Sequence, residues 1–272
     1  MPAFQNNWLV PEWPAPQGVK AVFTTRGGGV SEAPFESMNL GDHVGDQPAR
    51  VAANRALLAK AIGRRPVFLK QVHGTDVVQL DADTPDGHVA DACISTQSEQ
   101  ACCIMVADCL PVLLATDDGR AIAAAHAGWR GLAGTGGVGV LESIYKQLIA
   151  TRQDGRAQAA IKIIAWMGPC IGPDAFEVGP EVKLAFESVQ PEAAALFTRI
   201  AGADGKFLAN LPGLARLRLE AMGITAVYGN DGSPAWCTVG NASRFFSHRR
   251  DAGPSGNGMG TTGRMAACVW RE

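Results

Sequence analysis

Hydrophobic and polar positions alternate along this chain in short runs, separated by turn residues. "VKAVFTTR" (19–26) reads as a strand, followed by a long glycine-rich loop, "GGGVSEAPFESMNLGDHVGD" (27–46). "QPARVAANRALLAKAIG" (47–63) carries apolar residues at helical spacing and a stop at Gly63. "PVFLKQVH" (66–73) predicts a strand ending in His73, and after a Gly74-Thr75 turn "DVVQL" (76–80) continues the sheet. "CCIMVA" (102–107), "LPVLLAT" (110–116) and "RAIAAAHA" (120–127) are further strands, and "VLESIYKQLIATR" (140–152) is a helix. "AAIKIIAWMG" (159–168) is a buried strand. The stretches 179–190 and 191–200 read as helical, as does 208–223 with Gly223 past its end. "ITAVYG" (224–229), "RFFSHRRD" (244–251) and "RMAACVWR" (264–271) read as closing strands. The strands cluster, with helices between some of them. That predicts an α+β (mixed α/β) fold, mixed β-sheets flanked by helices, in a single domain spanning 1–272.

Composition narrows the function. Hydrophobic residues make up 47% and charged residues 18% of 272, enough for a sizeable core. The formal net charge of −2 and the lack of a basic stripe point away from nucleic acid. The N-terminus has no signal-peptide pattern and no apolar stretch reaches the length of a membrane span, so the expectation is no membrane association. Seven cysteines, an odd number and scattered, do not form a secreted disulfide framework and fit a reducing cytoplasm. Cys102 and Cys103 read as small core residues of a strand, and Cys170 in "GPCIG" as a packing or turn residue.

Cys109 differs from them. "LPVLLAT" and "RAIAAAH" flank "DDG", which is hairpin-turn chemistry. If the loop centres between Asp117 and Asp118, Cys109 lies directly opposite His126, with Cβ atoms ~5 Å apart on one face. A loop centred between Asp118 and Gly119 moves the pairing by two positions and leaves them diagonal neighbours. Such a pair serves either as a cysteine nucleophile with its base or as two ligands of a metal. Only five histidines are present. His73 sits at a predicted strand end and is a candidate third ligand, although a histidine there serves equally as an ordinary hydrogen-bonded residue. A His2Cys set leaves one tetrahedral position open, the pattern of catalytic zinc.

These residues also carry a resemblance. "FTTRGGGVSEAPFESMNLGDHVGD", "LKQVHGTDVV", "ADCLPVLL", "AAAHAGWRGL", "GPCIGPDAFEVGPEV" and "FFSHRRD…TGRMA" resemble, in order, the motifs of the laccase-domain family, also called polyphenol oxidase and purine nucleoside phosphorylase. The resemblance runs from about residue 8 to the C-terminus. It implies a zinc ion on His73, Cys109 and His126 and a single mixed α/β domain. It further implies phosphorolysis of adenosine, inosine and S-methyl-5′-thioadenosine, deamination of adenosine, and in bacteria a link to editing of peptidoglycan precursors. The chain departs from the pattern at 252–260, an insertion before "TGR", at His248, where tyrosine is usual, and at Val106, where threonine is usual. Copper in place of zinc is the lesser expectation. A multicopper oxidase needs a blue-copper site and a separate imidazole-bound cluster, and five histidines are too few unless subunits share one.

Phosphorolysis requires purine nucleoside and phosphate as partners, and phosphate requires cations and N–H donors. Arg130, on a glycine-rich approach to a helix N-terminus, and Arg26 with Ser31 in "TTRGGGVS" are candidates. The same glycines serve equally well as plain turn-makers. Asn39 and Gln71 are candidate substrate contacts, Gln71 by sharing a strand face with His73, and either residue could instead bond locally. Arg249, and with it Arg250, is a candidate anion binder. Asp108 is the nearest carboxylate for proton transfer, and Asp91 a candidate partner for a ligating histidine. Rival readings are an amide hydrolase editing cell-wall precursors, with Cys109 as nucleophile and His126 as base, and a non-enzymatic metal-binding scaffold. The oligomer is expected to be a monomer or homodimer.

Overall fold

The computed structural model describes residues 7–151, 162–253, 256, 258 and 260–272. Residues 159–161 of the predicted strand and most of the 252–260 insertion's centre lie outside the described residues.

Two sheets form the body. One has four strands in the order β1 (Val19–Phe23), β13 (Met265–Arg271), β5 (Gln100–Val106) and β2 (Arg65–Phe68). The other has six, in the order β12 (Ala226–Gly229), β8 (Ile163–Met167), β6 (Leu110–Thr116), β7 (Ile122–Ala127), β4 (Ala92–Ser95) and β3 (Val77–Gln79). Both are mixed: β2–β5, β3–β4 and β8–β12 run parallel, and the other pairs antiparallel. A three-stranded sheet of β10 (Phe197–Arg199), β11 (Phe207–Ala209) and β9 (Glu177–Val178) stands apart.

The period-two alternation of the strands assigns their faces. On β5, Cys102, Ile104 and Val106 join Leu113 and Ala115 of β6 and Ile122 and Ala124 of β7 in one buried cluster, so the two main sheets pack face to face. The alternate residues Ala101, Cys103 and Met105 face the other way, toward Leu58 and Ile62 of α1 (Pro48–Ile62). On the far side of the six-stranded sheet, Val112, Leu114, Ala123 and Ala125 pack on Leu141, Ile144 and Leu148 of α3 (Val140–Ala150) and on Leu214 and Leu219 of α5 (Leu211–Ala221). The layers therefore run helix, sheet, sheet, helix. Both faces of each central strand are apolar because both are covered, and each fully buried leucine or isoleucine contributes about 1.5–3 kcal/mol. This is the mixed α+β architecture expected from the strand clusters.

Several local expectations are corrected. The predicted strand 66–73 stops at Phe68, and the chain from Leu69 to Asp76 crosses from one main sheet to the other. "PEAAALFTRI" is a 3-10 turn over Pro191–Leu196 that gives way to β10, because Phe197 is buried and pairs with Ala209 of β11. "RFFSHRRD" does not close the sheet. Ser247 caps a short helix, α6 (His248–Asp251), by accepting from the Arg250 N–H. The helix predicted over 208–223 begins at Leu211, where the Asn210 side chain accepts from the Gly213 N–H. Helices α2 (Trp129–Ala133) and α4 (Pro180–Glu187) complete the set.

Candidate metal centre and cavity

The space between the two main sheets opens at the end where β6 begins and β7 ends. Cys109 and His126 share the inter-sheet parity of Leu113 and Ala124, so both project into that opening. The hairpin takes the second of the two registers. Pro111 lies opposite His126 and Leu110 opposite Ala127, which makes Cys109 and His126 diagonal rather than direct neighbours. The turn centres on Asp118-Gly119, where the Gly119 N–H bonds the Thr116 carbonyl and Gly119 takes φ 68°.

His73 arrives from the crossover between the sheets. Its backbone is left-handed, φ 61°, a conformation unusual for a side chain with a Cβ. One carboxylate supports it. Asp91, fully buried just before β4, accepts the N–H groups of Val72 at 3.0 Å, His73 at 2.8 Å and Gly74 at 2.7 Å. The same carboxylate meets His126 Nδ1 at 2.8 Å, which leaves His126 Nε2 for the opening. Burial acts against ionisation of Asp91, yet the His126 bond and the Gly74 and Val72 N–H groups hold it below the usual carboxylate range.

The three donor atoms of His73, Cys109 and His126 lie within 4.8 Å of one another, with His73 Nε2 at 3.7 Å from Cys109 Sγ. The imidazole rings stand edge to face, centroids 4.8 Å apart. Burial pushes the Cys109 thiol up, but the charge and hydrogen bond of His126, with His73 behind it, bring it down to about 6. Desolvation likewise lowers His126, and Cys109 and Asp91 together raise it to about 9. A ready thiolate beside two imidazoles, one backed by a carboxylate, is the chemistry of a divalent metal site, and the donor set fits zinc. Gly128 is required for the close approach: a Cβ there would stand 2.9 Å from His73 Cδ2 and 3.0 Å from Cys109 Sγ.

A cavity of about 360 Å³ covers this centre. Trp129, Ile171, Phe176 and Leu211 supply apolar wall, and Arg130, Arg249 and Arg264 supply cations, with His43 and His248 at its edge. Asp108 also lines it, in a left-handed turn at φ 89°. Each of its oxygens accepts a 2.6 Å bond, from Thr238 Oγ1 and from the Arg249 N–H, and its carbonyl accepts the Ile171 N–H. Asp108 is therefore a clasp between three loops.

The other sequence candidates divide. Arg130 and Arg249 line the cavity, Arg130 stacked on Trp129 at 4.5 Å and Arg249 bonded through Nη2 to the Glu177 carbonyl. Gln71 is a wall residue whose amide pairs with both backbone groups of Met105, each at 2.8 Å, extending the edge that β2 leaves. It does not share a strand with His73. Arg26, Ser31 and Asn39 are not brought to the cavity. Arg26 bonds the carbonyls of Glu36 and Ala242. Ser31 and Asn39 both bond Asp46, and Asn54 bonds Ser31 and the carbonyl of Asn39 in one buried network. The glycine-rich approach to α3 is not an open anion site either, because Glu142 accepts the Gly139 N–H at 2.8 Å. Arg250 is tied to Asp251 and to carbonyls of Thr238 and Phe245. Cys102, Cys103 and Cys170 are wholly buried, and burial pushes their thiols well up, as for packing residues. Arg264, His43 and Phe176 also line the cavity, and nothing local in "TGRMA" or "GDH" marks a cavity wall.

Such a fold with a two-histidine, one-cysteine centre between its sheets defines a class of small mixed-sheet metal-site proteins. Residues 20–272 match the family described as multi-copper polyphenol oxidoreductase laccase, and the chain belongs to that family. Among its relatives, a Pseudomonas aeruginosa protein named purine nucleoside phosphorylase is 45% identical, covering 98% of this chain and 99% of the relative. The Escherichia coli K12 protein named purine nucleoside phosphorylase YfiH is 44% identical over 96% of this chain and 98% of its own length. A Neisseria meningitidis crystal structure superposes with TM-score 0.81 at 44% identity, covering 98% of this chain and 99% of that one. The structure of YlmD from Geobacillus stearothermophilus gives TM-score 0.81 at 28% identity over 100% of this chain and 98% of that one.

Proposed function

We propose that this chain is a purine nucleoside phosphorylase that carries zinc on His73, Cys109 and His126 and also deaminates adenosine. The observation that carries the reading is the pairing, in one cavity, of a His2Cys centre with wall formed by apolar and aromatic residues and wall formed by arginines. A purine needs the first wall and phosphate needs the second. The names of relatives at 44–45% identity across nearly their whole length support it. Adenosine, inosine and S-methyl-5′-thioadenosine are the substrates expected.

In phosphorolysis a phosphate oxygen bonds the ribose anomeric carbon as the bond to the purine nitrogen breaks, and the purine leaves with the electron pair and takes up a proton. Bound at the centre, zinc would supply Lewis-acid polarisation of a substrate oxygen or nitrogen. The chain's own groups position the rest. Asp91 keeps His126 Nδ1 engaged and the His73 turn closed. Asp108 holds the Arg249 backbone against the cavity. Trp129 and Phe176 offer planar surfaces for a base and exclude water from it. The proposed setting is the cytoplasm, as monomer or homodimer. Among the described residues no helix is long and apolar enough to cross a membrane.

The test is incubation of the metal-loaded protein with adenosine, with and without phosphate, resolving adenine from inosine. Adenine that requires phosphate supports phosphorolysis, and inosine supports deamination. Neither product at full metal occupancy overturns the proposal.

One observation favours a second reading. Asp91, His126 and Cys109 form a carboxylate–imidazole–thiolate series with the thiol at about 6, the constellation of a cysteine hydrolase, such as one editing peptidoglycan precursors. Amide hydrolysis that persists in chelator-treated protein would support that reading. Polyphenol oxidation by several coppers is disfavoured, because among the described residues one group of three donors converges.

A further inference from the structure

Three arginines line the cavity, and their surroundings differ. Arg130 and Arg249 are exposed, and each lies over an aromatic ring, Trp129 at 4.5 Å and Phe176 at 5.9 Å. Arg264 is only partly exposed, and its stem is enclosed. A Cβ on Gly41 would stand 2.7 Å from Arg264 Cγ, so the glycine makes the slot in which the side chain lies. Its backbone is pinned on both sides: the Arg264 N–H donates to Asn39 Oδ1 at 2.9 Å, and its carbonyl accepts the Leu40 N–H at 3.0 Å. Nη1 donates to the carbonyls of Thr262 and Gly263. Among the described residues, no carboxylate pairs with the guanidinium, and Nε and Nη2 have no protein partner. A guanidinium held this firmly, with no carboxylate in direct contact, presents its open edge to an anionic ligand. Its electrostatic coupling reaches Cys109 and Asp108, which places the charge on the metal-centre side of the cavity.

We infer that Arg264 is the phosphate-binding residue of this site, its two unpartnered donors forming a fork for two oxygens of inorganic phosphate. The slot at Gly41 and the Asn39 bond are its positioning elements. The inference rests on the phosphorylase reading. It explains why the "SMNLGDH" loop, whose Asn39 never reaches the cavity, is tied so closely to it: the loop builds the seat of Arg264. A planar guanidinium with two free N–H directions matches tetrahedral phosphate better than the exposed arginines, whose faces are engaged by rings.

Steady-state phosphorolysis of adenosine by the zinc-loaded enzyme, with phosphate varied, tests this in wild type, Arg264→Gln and Arg264→Lys. The expected result is a KM for phosphate raised about 10- to 100-fold in Arg264→Gln, with the KM for adenosine within about twofold and the zinc content unchanged. Arg264→Lys keeps the charge and the stem and should recover part of the loss. Gly41→Ala should raise the phosphate KM in the same direction, with the adenosine KM held. A direct binding measurement of inorganic phosphate, by calorimetry on the same zinc-loaded proteins, separates this inference from the phosphorylase reading. If wild type turns over no nucleoside yet binds phosphate, and Arg264→Gln does not, the anion site stands and the reaction assignment fails. An unchanged phosphate KM and affinity in a folded Arg264→Gln protein, or no phosphate binding by wild type, overturns the inference.

Discussion

Replacing Asp91 by asparagine is the most incisive perturbation, because one carboxylate holds both histidines. Its Oδ1 accepts from the His73 N–H at 2.8 Å and contacts His126 Nδ1 at 2.8 Å; its Oδ2 accepts from Val72 at 3.0 Å and Gly74 at 2.7 Å. Asparagine is the same size and has one acceptor oxygen. Whichever way the amide turns, two of the four bonds are lost and an NH2 group faces the abandoned donors. Hydrogen bonds to a charged group are worth about 1.5–3 kcal/mol each, and because these share one anion the losses do not add in full. A destabilisation of about 3 kcal/mol is expected, a fall in Tm of roughly 6–12 °C for a chain of this size. Metal affinity should drop about 10- to 100-fold, since His73 loses the clamp on its left-handed turn and His126 its fixed tautomer. Chelator competition with metal analysis, alongside thermal unfolding of metal-free and metal-loaded protein, reads both effects. An Asp91→Asn protein with Tm within about a degree of wild type and affinity within about twofold would refute the claim that Asp91 organises the centre.

Four further perturbations follow from the same geometry. In metal-free protein, iodoacetamide should modify Cys109, followed by peptide mass spectrometry, with a pH midpoint near the thiol's value of about 6; a midpoint near an ordinary thiol's, about 8.5, counts against the thiolate–imidazolium pair. The depressed Cys109 contributes stability that fades as pH falls through about 6, and the raised His126 contributes stability that fades as pH rises through about 9, so metal-free protein should unfold most reluctantly between those values. Gly128→Ala removes no donor but drives a methyl against His73 and Cys109, so metal affinity should fall at least tenfold with little change in metal-free Tm; normal occupancy in a chelator titration would show that the slot yields. Cys103→Ala, by contrast, should cost about 1 kcal/mol of stability and leave the metal content at wild-type level, because Cys103 faces α1 and packs against Cys268 at 3.4 Å.

How far the site was legible depended on which physical rule governed each residue. Strand parity is local, and it sufficed to bring Cys109 near His126, since either register of the "DDG" turn leaves both between the sheets. The side of the turn on which the loop centred was not legible, because Asp117 and Asp118 offer the same turn chemistry and Gly119 settles it by taking the left-handed position. His73 looked like a strand end for the wrong reason. It is a crossover residue, and its conformation is imposed by a carboxylate 18 residues away in the chain. Ser31 and Asn39 looked like ligands because a polar side chain in a glycine-rich loop reads the same whether it faces a substrate or another polar side chain; here Asp46 and Asn54 consume them. Arg264 lies in a strand-like apolar run, where an arginine at its head reads as a solvated terminus. Its burial comes from a loop 225 residues earlier, whose Asn39 accepts its N–H and whose glycine leaves room for its stem. The cavity's chemistry therefore sits where distant segments meet, and the polar residues of the motif loops act mainly by setting the backbone that aims those few side chains.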